Sequence, residues 1–409
     1  MAEITNNSIT TPNFTSSYPA ITRHILESGA HLPSRAGETQ EVLDFKTEIQ
    51  NPIERCVGGG KRNINVFFLL AESIWIWAGR NDVNFLTMFN KQMSEYSDDG
   101  RTFNAPYGFR LRHYGANSSQ SFLVDERDDA VLRRYSGEDW ELVKFQMDQI
   151  SWVIDLLHKD PTTRRAVITI WNPEFDTKES RDIPCNDLLM FKIRDNKLHL
   201  TIANRSNDLH WGLCTNVFQF SFILELMADI LGVEVGRQVH NSQSLHIYDS
   251  NPITQTLIDN GEISTDIYSM VKASKMGFND TGYLPKRIER VDDLMKNIMS
   301  DLSDPLHNNR VYPWTLKKYW DAPQYFKEVL KLLCIYIEYT KTPRTEQNRV
   351  TALVELMHYW SENQRQICED YYLLAFNWFA QRLPEDKVKH ITGDTRVFKN
   401  VPNEWLGKL

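Results

Sequence analysis

Four segments in close succession set the frame of this chain. Residues 166–171, 187–193 and 197–203 are short runs of apolar and β-branched residues, and residues 217–231 are nearly all apolar. Only the turn sequence Arg194-Asp-Asn-Lys separates the second run from the third, so these two predict an antiparallel hairpin. The fourth run is too long for a strand and predicts a helix, and a helix apolar on every side has to be buried. The strand candidates suggest a mainly antiparallel sheet, and the length admits two or three domains or one large α/β or α+β unit with an appendage.

The flanking sequence extends this frame. Residues 238–248 predict a further strand, residues 64–78 a buried helix carrying Glu72, and residues 81–97 and 139–159 amphipathic helices. Residues 104–112 predict a turn followed by a short extended piece, and residues 284–300 another helix. Residues 1–17, rich in Asn, Thr and Ser, predict a loose arm, with order beginning at residue 18. From 313 to 383 the chain turns into long helical pieces dense in Trp and Tyr, with breaks marked by Pro323, Pro343 and Pro384. The expected organisation is an arm over 1–17, a catalytic body over 18–300 and a helical C-terminal extension over 301–409.

Charge and cysteine usage exclude several classes. With 46 Lys and Arg against 54 Asp and Glu, the net charge of −8 opposes a surface built to neutralise a nucleic acid polymer. The five cysteines are dispersed, with no spacing for a disulfide framework or a zinc site, so no metal and a reducing cytoplasm are expected. The first residues lack the pattern of a secretory signal, and the apolar run 64–78 is too short to span a bilayer. Gly58-Gly-Gly60-Lys61 falls short of a phosphate-binding loop, because Arg55 stands where its first glycine belongs and Arg62 follows the lysine.

Chemistry-bearing residues crowd the junctions between 161 and 216. Cys185 follows Pro184 in a strand-to-strand turn, which suits either a nucleophile or an inert buried thiol, and Arg205 lies one hairpin away, where its charge favours a thiolate. Arg164 and Arg165 precede a strand instead of lying on a helix face, and guanidinium groups are suited to fork-like recognition of phosphate oxygens. Glu72, on an apolar helix, has to be paired or protonated. Asn216 either caps the apolar helix or presents its amide to a ligand.

The series Arg35, Glu72-Ser-Ile-Trp, Pro-Tyr107-Gly, Asp160-Pro-Thr-Thr-Arg164-Arg165, Trp171-Asn-Pro, Pro-Cys185, Arg205-Ser206-Asn-Asp208, Gly212, Asn216 and His246-Ile-Tyr248 resembles thymidylate synthase over roughly residues 18–255. The resemblance implies an α+β body, a mixed or antiparallel sheet with packed helices, in a homodimer that acts on dUMP or a related pyrimidine nucleoside monophosphate, with 5,10-methylenetetrahydrofolate as co-substrate. It implies that Cys185 adds to C6 of the pyrimidine, turning C5 into a carbon nucleophile. Arg35, Arg205 and Ser206 would hold the phosphate, joined by Arg164 and Arg165 lent across the dimer interface. His246 and Tyr248 would hold the sugar hydroxyl, Glu72 would manage protons at O4, and Tyr107 would be the active-site tyrosine. Asp208 and Gly212 would face the folate, with Asp208 also among the catalytic groups. Asn216 would read the base, its carbonyl accepting N3–H of uracil and its NH2 donating to O4, a pattern cytosine reverses.

The departures from that family are specific. Asn186 follows the cysteine where His is usual, Ala203-Asn204 replaces Tyr-Gln before Arg205, and residues 401–409 do not look like its usual C-terminal ending. No tryptophan occurs between Met88 and Asp99, where synthases carry two, and Met93 and Tyr96 fill those places. A synthase holds the pterin close and excludes water so that hydride completes a methyl group. A changed wall implies the hydroxymethylase branch of the superfamily, in which water gives a hydroxymethyl group, and Asn-Ala-Pro-Tyr107-Gly-Phe-Arg-Leu-Arg112 resembles that branch. The favoured expectation is a deoxyuridylate 5-hydroxymethylase of the kind phages use in building modified DNA, working in the host cytoplasm. The alternatives are a true thymidylate synthase, a cytidylate or deoxycytidylate hydroxymethylase, and a catalytically retired nucleotide- or RNA-binding relative.

Overall fold

The computed structural model describes residues 4–34, 37–58, 62–115, 131–136, 139–144, 147–254, 256, 266–278, 282–303, 317–362, 367–384 and 386–388. The strands are β1 (Ser8–Thr11), β2 (Ala30–Ser34), β3 (Gly37–Ile49), β4 (Val131–Ser136), β5 (Asp139–Lys144), β6 (Val167–Thr169), β7 (Asn186–Arg194), β8 (Lys197–Asn204), β9 (Asn207–Asp208) and β10 (Glu234–Tyr248). The helices are α1 (Phe14–Ser28), α2 (Val66–Trp77), α3 (Val83–Phe89), α4 (Tyr107–Arg112), α5 (Gln149–Lys159), α6 (Pro173–Asp176), α7 (Cys214–Leu231), α8 (Leu284–Ser303), α9 (Gln324–Lys341), α10 (Glu346–Glu362) and α11 (Glu369–Ala380).

One eight-stranded sheet runs in the order β1-β3-β10-β8-β7-β6, with β2 added on β3 and β9 on β10. The sheet is mixed: β6-β7-β8 is antiparallel, but β10 runs parallel to β8 and β1 parallel to β3. The β7-β8 hairpin closes as its turn sequence predicts, with Asp195 and Asn196 both at positive φ (50° and 57°), the geometry that matches the twist of the flanking strands. The apolar run becomes α7, buried along nearly its whole length and stopped by Gly232 in the left-handed conformation. By length and composition the segment Leu209–Leu231 could cross a membrane, but it is mostly enclosed within this core.

Four expectations are corrected. Residues 8–11 are no loose arm, because β1 pairs with β3 and Phe14 is fully buried at the start of α1. Residues 107–112 are helical, and this helix lies so close to α2 that a Cβ at Gly108 would fall 2.2 Å from the Ile76 carbonyl oxygen. The helix expected over 139–159 starts only at Gln149, where the Asp148 side chain accepts from Ser151 N, and residues 139–144 pair instead with β4. The helical extension does not stand apart. Tyr336 of α9 stacks on Phe67 of α2 at 4.6 Å between ring centroids, and its hydroxyl donates to the Phe89 carbonyl. Arg55 and Glu225 form a fully buried ion pair beside Tyr325 and Tyr371 of α9 and α11, so body and extension share one core.

Candidate active site

Cys185 sits at the mouth of β7, tied to the end of β8 by Arg205 N–H donating to the Cys185 carbonyl. The Arg205 guanidinium reaches back over the same turn. Its Nε donates to Pro184 O at 2.8 Å, its Nη2 lies 3.9 Å from Cys185 Sγ, and its plane rests over the Trp171 ring. The thiol is nevertheless pushed above its ordinary value. Burial is the largest cause; Arg205 pulls the thiol back down and Asp182, Asp187 and Asp208 add to the rise, so an adjacent arginine does not by itself give a resting thiolate.

The strand period sets the next group. His246 and Tyr248 are two residues apart on β10 and share a face, with rings 5.4 Å apart, and β9 brings Asp208 into register with His246. Asp208 accepts from the backbone N–H groups of His210 and Trp211. Burial raises the Asp208 carboxyl and lowers His246, while each pulls the other back toward charge. Residues Leu209–Leu213 form a single π-helical turn, an arrangement frequent at functional sites. A Cβ at Gly212 would meet Asn207 Oδ1 at 2.8 Å, so glycine permits this turn to close on the side chain of Asn207. Ser206 lies between Arg205 and this turn.

Helices supply the third side. Glu72 on α2 accepts from Gln219 Nε2 on α7, and burial pushes its carboxyl up to about 8. Tyr107, presented by α4, stacks on Phe220, and burial together with the charge at Cys185 raises its phenol. Asn216 does not cap α7, which starts at Cys214. Its Nδ2 instead points at Asn186 Oδ1 (3.4 Å) and Asn207 Oδ1 (3.5 Å), and Asn204 also donates to Asn186 Oδ1. Asn186 Nδ2, Asn204 Oδ1, Asn207 Nδ2 and Gln219 Oε1 are buried without hydrogen-bond partners among the described residues, so polar atoms beside Asn216 and Glu72 are left unsatisfied.

Arg205 reaches Cys185, Tyr107 feels the charge at Cys185, Asp208 is in register with His246 beside Tyr248, and Asn216 reaches Asn186 next to the cysteine, while Glu72 joins this group through Gln219 one turn further along α7. Arg35 lies outside the described residues. Arg164 and Arg165 do not join the cleft within one chain; both are exposed where the chain enters β6, and their guanidinium groups make no hydrogen bond or ion pair among the described residues. Arg62, beside the rejected phosphate loop, is buried over the Tyr18 ring and donates to the His210 carbonyl, so it supports the π-helical turn from behind. Gln219, Asn186 and Asn204 were not anticipated as a group. The available signal was a polar residue at position 219, about one helical turn from Asn216, on a run in which only Ser221, Glu225 and Asp229 are also polar.

A partly buried thiol beside an arginine, a carboxyl held neutral by burial and a group of side-chain amides thus lie on a mixed sheet with packed helices, an α+β fold. The family model described as Thymidylate synthase matches residues 16–266. A deoxyuridylate hydroxymethyltransferase of Bacillus phage SP01 is 43% identical over 234 residues, 56% of this chain and 56% of that protein. Proteins of the same name from Pseudomonas phage M6 (32% identical, 59% of this chain and 61% of the relative) and Delftia phage PhiW-14 (27% identical, 54% and 56%) are also similar. The match spans little more than half the length of these relatives. The chain belongs to the thymidylate synthase family, whose members use methylenetetrahydrofolate as co-substrate.

Proposed function

We propose that this chain is a deoxyuridylate 5-hydroxymethylase. The observation that carries the reading is Tyr96, which is 53% exposed and stands within the fields of Cys185 and Asp208, in the wall from which the synthase tryptophans are absent. The names of the phage relatives agree with it.

In this reading Arg205, Ser206 and Arg35 bind the 5′-phosphate of dUMP, with Arg164 and Arg165 supplied by the second subunit of a homodimer. Their guanidinium groups, exposed and without an ion pair among the described residues, support donation in trans. Asn216 pairs with the uracil edge, and His246 with Tyr248 orients the sugar. Cys185 Sγ bonds to C6 and the electron pair moves to C5, with Glu72 donating toward O4 as charge develops there. Asp208, the Gly212 turn and the exposed Trp211 ring suit a ligand with both polar and flat aromatic parts, which fits a reduced folate. Bound there, methylenetetrahydrofolate supplies the one-carbon unit. Once that unit is on C5, loss of the C5 proton and cleavage of its bond to the departing tetrahydrofolate would leave an exocyclic methylene; the open wall at Tyr96 lets water reach it, oxygen bonds to the exocyclic carbon, one water proton is released, and the returning electron pair re-forms the C5–C6 double bond as the bond from Cys185 to C6 breaks.

The test is to incubate the protein with methylenetetrahydrofolate and, separately, dUMP, UMP, dCMP and CMP, then weigh the products. A hydroxymethyl product from dUMP with no dihydrofolate formed is expected. A methyl product with stoichiometric dihydrofolate would make it a synthase, and turnover of a cytosine nucleotide alone would reassign the base.

A further inference from the structure

Four buried side-chain amides meet beside the cysteine. Asn186 opens β7 next to Cys185, Asn204 closes β8 opposite it in register, Asn207 lies on β9, and Asn216 stands in the first turn of α7. An amide can be turned end for end, which exchanges its acceptor for its donors with little change of shape, so its neighbours decide which end faces a ligand. Around Asn216 those neighbours are two carbonyl oxygens, Asn186 Oδ1 at 3.4 Å and Asn207 Oδ1 at 3.5 Å from its Nδ2. Each oxygen is itself held in place. Asn204 Nδ2 donates to Asn186 Oδ1, and Asn207 Oδ1 rests against Gly212, where a Cβ would come within 2.8 Å of it.

Turning Asn216 over would set its own oxygen against both of these oxygens and lose both contacts. The polarity is kept at a cost, since it leaves Asn186 Nδ2, Asn204 Oδ1 and Asn207 Nδ2 buried without hydrogen-bond partners among the described residues. Apolar side chains of similar size would fill the same space without that cost, so packing alone does not account for the cluster.

We infer that Asn186 and Asn207 are specificity-determining residues that act through Asn216. They hold its Nδ2 inward, so that its Oδ1 meets N3–H of uracil and its remaining N–H meets O4. Cytosine has an acceptor at N3 and a donor at the 4-position, and pairing with it requires Asn216 in the opposite orientation, against two oxygens. The inference rests on the reading of Asn216 as the residue that pairs with uracil and adds what fixes its orientation. It also gives a role to Asn186, which stands where His is usual in the thymidylate synthase family.

The experiment measures binding of dUMP and of dCMP by calorimetry, without folate, to the wild type, Asn186→Ala, Asn207→Ala, the double variant, Asn186→Asp and Asn216→Ala. The quantity read is the ratio of the two dissociation constants, because changes in folding or in the phosphate contacts reach both nucleotides alike. Loss of the hydrogen bonds that orient Asn216 is expected to lower the preference for dUMP about threefold to tenfold in the double variant, with part of the loss in each single variant. Asn186→Asp keeps an oxygen toward Asn216 and should keep the wild-type ratio. The single variants carry the test if the double variant does not fold. A ratio that changes by less than threefold in the double variant, or that falls as far in Asn186→Asp as in Asn186→Ala, would overturn the inference. A wild type with no preference for dUMP, or Asn216→Ala with the wild-type ratio, would instead overturn the reading of Asn216 itself.

Discussion

Glu72→Gln should make the protein more stable at alkaline pH while it removes activity. Burial raises the Glu72 carboxyl from 4.5 to about 8, and only the Gln219 amide works the other way. Between those two values the folded protein holds a proton that the unfolded chain has released, so stability falls as pH rises through the window. At 1.36 kcal/mol per pH unit, the loss attributable to this group is about 1.4 kcal/mol by pH 5.5 and about 4.6 kcal/mol by pH 8.5, a difference of about 3 kcal/mol. Gln at position 72 does not titrate. It also brings a donor toward Gln219 Oε1, which is buried without a partner among the described residues. Urea unfolding of both proteins at pH 5.5 and 8.5, followed by circular dichroism, should show the variant gaining about 3 kcal/mol on the wild type between the two conditions. Turnover should fall by about 10²- to 10⁴-fold if Glu72 is the acid at O4. A stability difference that does not change with pH would refute the neutral-carboxyl argument, whatever happens to activity.

Cys185→Ala should abolish turnover and leave dUMP binding within a few-fold, because the phosphate and base contacts do not depend on the covalent bond; near-normal turnover would remove Cys185 from the mechanism. Mixing inactive Cys185→Ala with inactive Arg165→Ala should restore part of the activity through hybrid dimers, and no recovery after verified subunit exchange would count against donation in trans. Asn216→Asp should lower turnover of dUMP and raise that of dCMP by roughly tenfold or more in relative terms, since a mismatched buried polar group costs about 1 to 3 kcal/mol; a wild type that already prefers dCMP would sink the assignment.

Much of the cleft was legible because its members lie close in sequence within regular elements. Arg205, Asp208 and Asn216 follow one another over a strand end and a single helical turn, and His246 and Tyr248 share a strand face by alternation alone. The partners of Glu72 and Asn186 were not legible in the same way. Gln219 meets Glu72 only because α2 and α7 pack side by side, and Asn204 meets Asn186 only through the register of β7 on β8. The long strand β3 escaped notice because Glu38, Glu41, Asp44, Lys46 and Glu48 interrupt its apolar alternation, yet it lies inside the sheet between β1 and β10. The composition change after residue 313 did mark helices. It carried no sign that Tyr336 and Tyr371 complete the core of the body, since aromatic residues serve a separate domain and a shared core equally well.

Burial dominates the electrostatics of this cleft, and it acts in one direction. Cys185, Glu72, Tyr107, Asp182, Asp187, Asp208 and Tyr248 are all raised and His246 is lowered, each with desolvation as the first cause, so every one is moved toward its uncharged form. An arginine guanidinium, by contrast, is a fixed cation. A chain with a net charge of −8 therefore keeps a local preference for anions by weakening its own carboxylates, without crowding in more cations. In the proposed mechanism the same arrangement bears on the order of events at the thiol. An anion bound beside Arg205 competes for the cation that favours a thiolate there, so substrate binding would not ionise Cys185 in advance. Loss of the Cys185 proton to solvent would then be coupled to attack on the ring, at the moment when negative charge leaves sulfur for the pyrimidine and the proton held on Glu72 meets it at O4.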